Sequence, residues 1–308
     1  MARSLRDLRR KMKAIKSTKQ VTKAMELVSA SKMRRAVSNA QTLRRYALAA
    51  WHILQRIADL NPGAHPYLQQ KPVKNVLAVV FSSDRGLCGS MNTQLFRAGT
   101  QYLKGLQGIA TFEKADFITI GNKGAQFVKR TGRPLIASFP ALSNHPTFRD
   151  ILPIARMVND GFLGGTYDHV VLLYTNFVSA LIQEPVVKVL LPFSQTDLRD
   201  MIEKLLPKSA RKDFEKESSE KRQSQYLFEP SPEEVLRVVL PQLMEIQLYQ
   251  AVLESAASEH SARMVAMRNA TDNASGLLED LTLSFNQTRQ GNITAELAEL
   301  SASKAALE

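Results

Sequence analysis

The loop Ser83–Gly89 is the part of the sequence whose residue types and spacing come nearest to a chemical site. It follows a β-rich apolar run and precedes a helical stretch, a position where backbone N–H groups can hold a phosphate. The loop matches neither the P-loop nor the G-x-G-x-x-G dinucleotide pattern. Its glycines, Gly86 and Gly89, are explained by the need to turn the chain, so we predict no cofactor site here.

Cys88, the single cysteine, and the five histidines are the remaining candidates for chemistry. One cysteine excludes an intrachain disulfide and fits a reducing compartment. No histidine suggests a base paired with the thiol, so we predict that Cys88 is a small buried side chain. The histidines show no metal-ligand spacing; they are His52, His65, His145, His169 and His260. The sequence therefore predicts no catalytic residue, no metal and no cofactor.

Charge is distributed unevenly between the two ends of the chain. Residues 1–45 hold fourteen Lys and Arg against two acidic residues, a net charge of +12, whereas residues 231–308 carry a net charge of −6. The basic start can attract the acidic end or an acidic partner. It could also bind nucleic acid through counterion release, although residues 1–46 offer one aromatic side chain, Tyr46, for base stacking. One function that the sequence allows, which we keep as an alternative below, is therefore that of a basic coiled-coil nucleic-acid-binding protein.

A helical seam dominates the N-terminal part of the chain. Leu5, Leu8, Met12 and Ile15 recur at intervals of three and four, and the same register returns from Met33 onward. Between these two stretches the register falls on four polar residues, while apolar side chains occupy a neighbouring face. The polar set is Lys19, Thr22, Glu26 and Ser29, and the apolar set is Val21, Met25 and Val28. We therefore predict one helix over residues 3–59 with a local slip of its seam, ended by Asn61-Pro62-Gly63.

The C-terminal part shows a second long helix. Ser231-Pro232-Glu233-Glu234 is a capping box with proline at the first helical position. Apolar and small residues then alternate at three and four: Leu243, Ile246, Gln250, Leu253, Ala257, His260, Met264, Met267, Thr271, Ala274, Leu278, Leu281 and Phe285. Two such seams of opposite charge predict a long antiparallel coiled coil.

The middle of the chain predicts a central α/β domain with a mixed sheet. Strands are predicted at Val76–Ser82, Ala115–Ile120, Tyr167–Phe177 and Leu181–Leu191, the last two as a hairpin, and helices from Asn92, over Gly124–Arg130 and over Phe148–Phe162. The predicted organisation is an N-terminal coiled-coil helix at 1–60, an α/β domain at 73–195, a polar connection at 196–230 and a C-terminal coiled-coil helix at 231–308. An α/β domain also allows a small-molecule enzyme.

No stretch of the sequence reaches the ~18 uninterrupted apolar residues of a membrane-spanning helix. The strongest apolar run, Val170–Tyr174, is far shorter. We therefore predict no direct membrane insertion, so that any membrane connection goes through a partner.

Three motifs, spread in order from one end of the chain to the other, resemble those of ATP synthase gamma subunits. They are Lys16–Arg34 (KSTKQVTKAMELVSASKMR), Ser82–Gly89 (SSDRGLCG) and Glu259–Asn273 (EHSARMVAMRNATDN). The resemblance implies a non-catalytic subunit of a bacterial-type, proton-transporting ATP synthase, peripheral on the cytoplasmic face of the cell membrane.

The resemblance also implies the partners and the mechanism. The coiled coil of such subunits turns inside a hexamer of alternating alpha and beta subunits. The epsilon subunit and the membrane c-ring hold the α/β domain. Ion flow turns the ring and the shaft, and the shaft drives the beta subunits through their conformations in turn. Nucleic acid is not among the implied partners.

The resemblance implies three groups of partner-contact residues. Lys23 and Met25 match the zone that meets the acidic lever loop of beta. Further along, five residues match positions of energy coupling with the hexamer: Arg263, Arg289, Gln290, Thr294 and Glu299. Three others match the segment that meets the c-ring and the epsilon subunit: Tyr226, Phe228 and Glu229.

Overall fold

The computed structural model describes residues 5–58, 65–142, 146–193 and 231–305. The first and last elements of this part of the chain are the two predicted long helices, α1 (Leu5–Ala58) and α5 (Pro232–Ala305). Of the predicted capping box, the bond from the Glu234 N–H to Ser231 Oγ is present, at 3.3 Å. The predicted polar connection at 196–230 lies outside the described residues.

The residues between the long helices form a mixed sheet flanked by three shorter helices, as predicted. The elements are β1 (Asn75–Phe81), α2 (Met91–Gln107), β2 (Lys114–Ile120), α3 (Asn122–Arg130), β3 (Leu135–Phe139), α4 (Phe148–Leu163), β4 (His169–Phe177) and β5 (Gln183–Leu191). The strand order is β3-β2-β1-β4-β5. Strands β1 to β4 are parallel neighbours, and β5 pairs antiparallel with β4.

The central strand β1 is apolar from Val76 to Phe81 because both of its faces are covered. Alternate side chains of a strand point to opposite faces. Leu77, Val79 and Phe81 join one buried cluster, whereas Val76, Ala78 and Val80 join another. Side chains of α2 and α3 complete the second cluster, and side chains of α4 and the first part of α5 complete the first.

Strand β3 was not predicted from the sequence. It is five residues long and lies at the edge of the sheet, where Ile136 and Ser138 are exposed and their neighbours are half-buried. Four of its five residues are apolar, but five residues are too few to show a clear alternation. Pro134 immediately precedes the strand, and a proline there indicates a turn or the start of an edge strand.

Two compact units divide the chain, and each packs α1 against α5. In the unit formed by Met1–Ala30 and Arg263–Glu308, the Arg9 guanidinium lies 5.5 Å from the ring centroid of Phe285, and Thr271 is hydrogen-bonded to Thr22. Residue numbers therefore rise along α1 as they fall along α5, which confirms the antiparallel coil. In the unit Ser31–Ala262, Ala36 packs in one buried cluster with Ala256 and Ala257.

The slip predicted for the N-terminal seam is wrong. Thr22, Glu26 and Ser29 are buried, whereas Val21 and Val28 are each 55% exposed. The seam keeps its period through polar residues because Thr22 and Glu26 find partners inside the unit, so burying them leaves no unpaired polar group.

Candidate functional site

The loop after β1 is closed by its own hydrogen bonds. The Asn92 side chain accepts a bond from the Ser83 N–H at 3.2 Å and donates one to Ser83 Oγ at 2.7 Å. The same amide lies 3.3 Å from Cys88 Sγ. Cys88 is 2% exposed, so the prediction of a small buried side chain is confirmed.

Asp84 occupies the position where this loop could otherwise have held an anion. Its carboxylate accepts hydrogen bonds from the Asn122 N–H at 3.1 Å and from the Ala141 N–H at 2.9 Å. The next amide of α3, Lys123 N–H, donates to the Ser83 carbonyl at 3.0 Å. The helix N-terminus, which attracts negative charge, is thus already neutralised by a side chain of the chain itself.

Gly121 allows the close approach of β2 and the loop. Its φ is +92°, and a Cβ at this position would overlap the carbonyl oxygen of Ser82. The Ser82 hydroxyl fills the remaining space, since it accepts a bond from the Gly124 N–H at 2.7 Å and donates to the Ile120 carbonyl at 3.0 Å. The first three amide N–H groups of α3 thus all donate to groups of the chain itself, which leaves none of them for a phosphate.

Helix α5 fills the crevice that an α/β fold of this topology offers to ligands. The strand order reverses between β1 and β4, and ligands of open α/β sheets bind at such a switch point, beyond the carboxyl ends of the strands. Here three serines of α5 donate hydrogen bonds to main-chain carbonyls at that edge. Ser255 bonds Phe81 at 3.5 Å, Ser258 bonds Thr175 at 3.0 Å, and Ser261 bonds Ala180 at 2.7 Å.

These three serines were not identified from the sequence. Their signal is a spacing of three residues, with two small side chains, Ala256 and Ala257, between the first two serines, which lets the helix approach closely. Ala256 and Ala257 are buried and leave that surface free of bulk. Serines on a long helix are otherwise typical of a solvated face. A solvated serine and one bonded to the sheet are told apart only by the carbonyl groups that lie near them in the fold.

Three of the histidines have structural roles. His65 Nδ1 accepts a bond from the Tyr67 N–H at 3.1 Å, and burial lowers the pKa of this imidazole. His169 Nε2 lies 3.0 Å from the Lys71 carbonyl oxygen, and His260 is buried on the seam of α5. Within the described ranges, no group of three or more His, Cys, Asp or Glu side chains could hold a metal ion.

The partner-contact residues predicted on α1 lie beside a buried polar layer. Thr271 Oγ1 donates to Thr22 Oγ1 at 2.8 Å, and both hydroxyls are buried. One turn further along α1, the Glu26 carboxylate lies 3.0 Å from Lys23 Nζ and 3.7 Å from Arg268 Nε. Glu26 therefore joins the two helices of the coil, a role that sequence reasoning missed because it treated this stretch as a slip.

Lys23 and Met25 present different surfaces. About half of the Lys23 side chain remains exposed while its ammonium is paired with Glu26, and Met25 is half-buried. Around them Val21, Leu27 and Val28 are all more than half exposed. The predicted contact zone is thus a mainly apolar helix surface that includes the Lys23 ammonium, which is paired with Glu26.

The predicted residues on α5 do not form one site with Lys23. Arg263 is buried, whereas Arg289, Gln290, Thr294 and Glu299 are exposed. Arg289 is 21 positions beyond Arg268, the residue facing Glu26, and at 1.5 Å per residue this is about 30 Å along the helix. Every described side chain from residue 291 to residue 303 is exposed.

The remaining predicted residues, Tyr226, Phe228 and Glu229, lie outside the described residues. Among the helices in the described part of the chain, none combines the length and the apolar character needed to cross a membrane.

Comparisons with known proteins agree over nearly the whole chain. The family model described as ATP synthase matches residues 4–307. A protein described as ATP synthase gamma chain from Roseiflexus sp. (strain RS-1) is 43% identical over 307 residues, which cover 99% of this chain and 98% of the relative. The gamma chain from Pelotomaculum thermopropionicum is 40% identical over 306 residues and 99% of each chain.

Solved structures show the same fold. A chain from the central stalk and c-ring of the Tetrahymena thermophila mitochondrial ATP synthase has a TM-score of 0.57 at 26% identity, covering 81% of this chain and 99% of its own. A chain of the Euglena gracilis mitochondrial ATP synthase in rotational state 3 has a TM-score of 0.63 at 20% identity, covering 98% and 94%. With two relatives at 40% identity or more across their full length, this chain belongs to the ATP synthase gamma-chain family.

Proposed function

We propose that this chain is the rotating central shaft of an F-type ATP synthase, which couples transmembrane ion flow to ATP synthesis or hydrolysis in an alpha/beta hexamer. The observation that carries the proposal is the end of α5. It stays helical to Ala305 while every described side chain from residue 291 to 303 is exposed. Most helical stability in proteins comes from the packing of one helix face, so we infer that this end of α5 packs against a surface of other subunits.

Rotation would act on the catalytic subunits because their contacts with the shaft differ from one shaft angle to the next. Each angle of the shaft has a different contact free energy with each beta conformation, so turning it shifts the populations of the three catalytic subunits. The exposed apolar surface at Val21, Leu27 and Val28 supports this, because a surface that must slide past successive partners gains from contacts without fixed direction. The half-exposed Lys23 supports a transient contact with an acidic loop.

We assign the contacts as follows. Lys23 and Met25 meet the lever loop of beta, and four exposed residues of α5 meet the hexamer: Arg289, Gln290, Thr294 and Glu299. Arg263 is buried, which favours an indirect role through the packing of the coil. The epsilon subunit and the c-ring hold the α/β domain, with Tyr226, Phe228 and Glu229 at that contact.

We further propose that the subunit itself performs no catalysis. The crevice at the switch point is filled by Ser255 and Ser258 of α5, and Asp84 takes the anion position at the start of α3. Both arrangements argue against a nucleotide site on this chain. The alternative of a nucleic-acid-binding protein has no support among the relatives named above, which are ATP synthase gamma chains.

We propose the cytoplasmic face of a bacterial membrane as the location, with attachment through the c-ring. The functional division follows the predicted boundaries: coil helices at 1–60 and 231–308, an α/β domain at 73–195 and a connection at 196–230.

The test is rotation of a probe in the purified complex. In a Cys88→Ser background, Leu181→Cys in the β4–β5 turn gives an attachment point, since Leu181 is 78% exposed. We expect the tagged chain to co-purify with alpha, beta, epsilon and c subunits, and the probe to turn in one direction during ATP hydrolysis. ATP hydrolysis with a stationary probe, or purification without these subunits, would refute the proposal.

A further inference from the structure

A groove between α2 and α3, on the face of the sheet opposite α4, has no role in the function described so far. Its volume is about 520 Å³. Phe96 and Phe127 line it together with polar and basic side chains: Thr93, Arg97, Thr100, Gln101, Lys104 and Arg130. This volume lies in the range of sites that take a small molecule or a peptide side-chain cluster.

The floor of the groove is a fixed aromatic pair. The rings of Phe96 and Phe127 are stacked at a centroid distance of 4.3 Å and an angle of 4°. Both are partly buried and pack against the apolar cluster that α2 and α3 form with the sheet. The floor is therefore a rigid apolar surface that remains partly open to solvent, a feature of recognition grooves.

The rim of the groove is basic. Arg97 and Lys104, seven residues apart, lie on one face of α2, and Arg130 faces them from the end of α3. Neither α2 nor α3 contains an acidic residue: their sequences are MNTQLFRAGTQYLKGLQ and NKGAQFVKR. No carboxylate of either helix is therefore available to neutralise these three cations, and the lining of the groove contains none.

We propose that this groove docks an acidic polypeptide segment of another subunit, with an apolar side chain against Phe96 and Phe127 and carboxylates toward Arg97, Lys104 and Arg130. The proposal rests on the proposed function only for the source of the segment, a subunit of the same complex. Charge complementarity of this kind sets orientation and speeds association more than it adds raw affinity.

A polypeptide fits the groove better than a nucleic acid does. Nucleic-acid sites without sequence preference offer free ring faces in succession along an extended basic track. Here each phenylalanine uses one ring face on the other, and the cations surround a single short groove. A peptide with one apolar side chain flanked by carboxylates matches this arrangement. The apolar side chain can pack on the Phe96–Phe127 pair, and the carboxylates can reach the basic residues around it.

The test is photo-cross-linking in the assembled, purified complex. A benzoyl-phenylalanine at Gln101, which lines the groove and is exposed, reports what lies in it. Two further variants are matched: Arg130→Glu changes a lining residue, and Lys129→Glu makes the same charge change at the neighbouring exposed position, which does not line the groove. Co-purification of alpha and beta subunits with the tagged chain checks the proposed function independently.

We expect the cross-link to join Gln101 to a protein segment that carries at least two carboxylates and an apolar residue. Its yield should fall about tenfold or more with Arg130→Glu and stay within about twofold with Lys129→Glu, and the difference should shrink at 1 M salt. A cross-link to a neutral or basic segment or to nucleic acid, the absence of any cross-link, or equal effects of the two substitutions would overturn the proposal. If alpha and beta subunits still co-purify, the shaft function survives that outcome.

Discussion

The sheet and the N-terminal coil place side chains of the same type in opposite environments. In the sheet, Val79 and Phe81 are at most 1% exposed, whereas Val21 and Val28 on the coil are each 55% exposed. At the same level of the coil, the buried positions are held by Thr22 and Glu26. Burial of apolar area stabilises the sheet within the chain itself. The coil instead keeps polar contacts inside and exposes apolar side chains, which we propose contact partner subunits. The residues that stabilise a region need not be the ones that carry its function.

The largest expected effect concerns the tight packing of the sheet region. Gly121→Ala forces a Cβ against the Ser82 carbonyl at a positive φ, so the backbone must move. We expect a loss of about 3 kcal/mol or more in the free energy of unfolding. Gly165→Ala is the control, since Gly165 also has a positive φ (+72°) but no atom within 4 Å of a Cβ, and it should cost only about 1–2 kcal/mol. Urea unfolding followed by circular dichroism compares them, and equal losses would contradict the steric argument.

The second effect concerns the exposed surface of α5 that we propose contacts the hexamer. Alanine at Arg289, Gln290 and Thr294 removes exposed side chains, so the isolated chain should keep its stability within ~0.5 kcal/mol. In the reconstituted complex we expect ATP turnover to slow about tenfold or more, because hydrogen bonds that involve a charged group contribute ~1.5–3 kcal/mol.

The matched control for that variant is alanine at Asn286, Gln287 and Asn292, which are exposed polar neighbours in the same stretch of α5, three or four positions from members of the first set. Turnover of the two variants at equal assembly separates a specific contact from a general effect on the helix. Similar turnover in both would remove the three residues from the coupling role.

The third effect tests a buried polar pair in the sheet region. Tyr167 Oη donates to Asp116 Oδ2 at 3.0 Å, and burial together with this bond raises the pKa of Tyr167 to about 12. A raised pKa stabilises the fold fully below pH 10, the ordinary tyrosine value, and this stabilisation is lost as pH rises through 12. Between pH 10 and 12 the wild-type chain should lose on the order of 1–2 kcal/mol more than Tyr167→Phe. Parallel losses in urea titrations across this range would show that the pair contributes nothing.

The smallest effect tests the polar pair of the coil. Thr22→Val with Thr271→Val replaces a hydrogen-bonded pair by an apolar one, which is often neutral or stabilising. We expect amide exchange around both positions to slow by up to about fivefold, corresponding to ~1 kcal/mol. Either single valine should speed exchange, since one hydroxyl loses its partner across the coil.

Thr18→Val is the control for this variant, because Thr18 is exposed and bonds only to the Ala14 carbonyl of its own helix. Faster exchange in the double variant than in the wild-type chain would mean that the polar layer stabilises the coil more than an apolar one.

The two long helices were predictable because their signal repeats many times. The thirteen seam positions of α5 from Leu243 to Phe285 are all buried or half-buried, and the cap at Ser231 is where the sequence predicts it. The long apolar strands were equally clear. Strand β3 was not, because five residues at a sheet edge bury too little to leave a pattern.

The polar contacts were the least predictable part. Ser258 bonds a carbonyl 83 positions away in the sequence, and Glu26 faces Arg268 across the coil. Such pairs depend on the register of two distant segments, which a single sequence does not encode locally. The assignment of Lys23, Met25 and the α5 residues to partners stays a prediction, because contacts with other chains leave no mark on this chain's own packing beyond exposed surface.

The use of α5 to complete the sheet has a consequence for how the protein is made. Eight buried residues of the cluster on one sheet face come from α5, between Leu236 and Val252. The ribosome therefore finishes the strands long before it finishes the helix that covers them. A nascent chain that ends before Pro232 carries a complete sheet with one face only partly covered.

The exposed apolar face therefore distinguishes an unfinished chain from a finished one. Domains usually fold in order during translation, but this one must wait for the last quarter of the chain. We expect ribosome-bound chains arrested at residue 230 to be cut by protease within β1 and β4, and chains arrested after α5 has emerged to be protected. Protection of the shorter chains would show that the sheet folds without its final helix. If the sheet did fold without α5, we would expect a truncated copy to compete with the finished protein for assembly. If it does not, the need for α5 keeps truncated copies out of the complex.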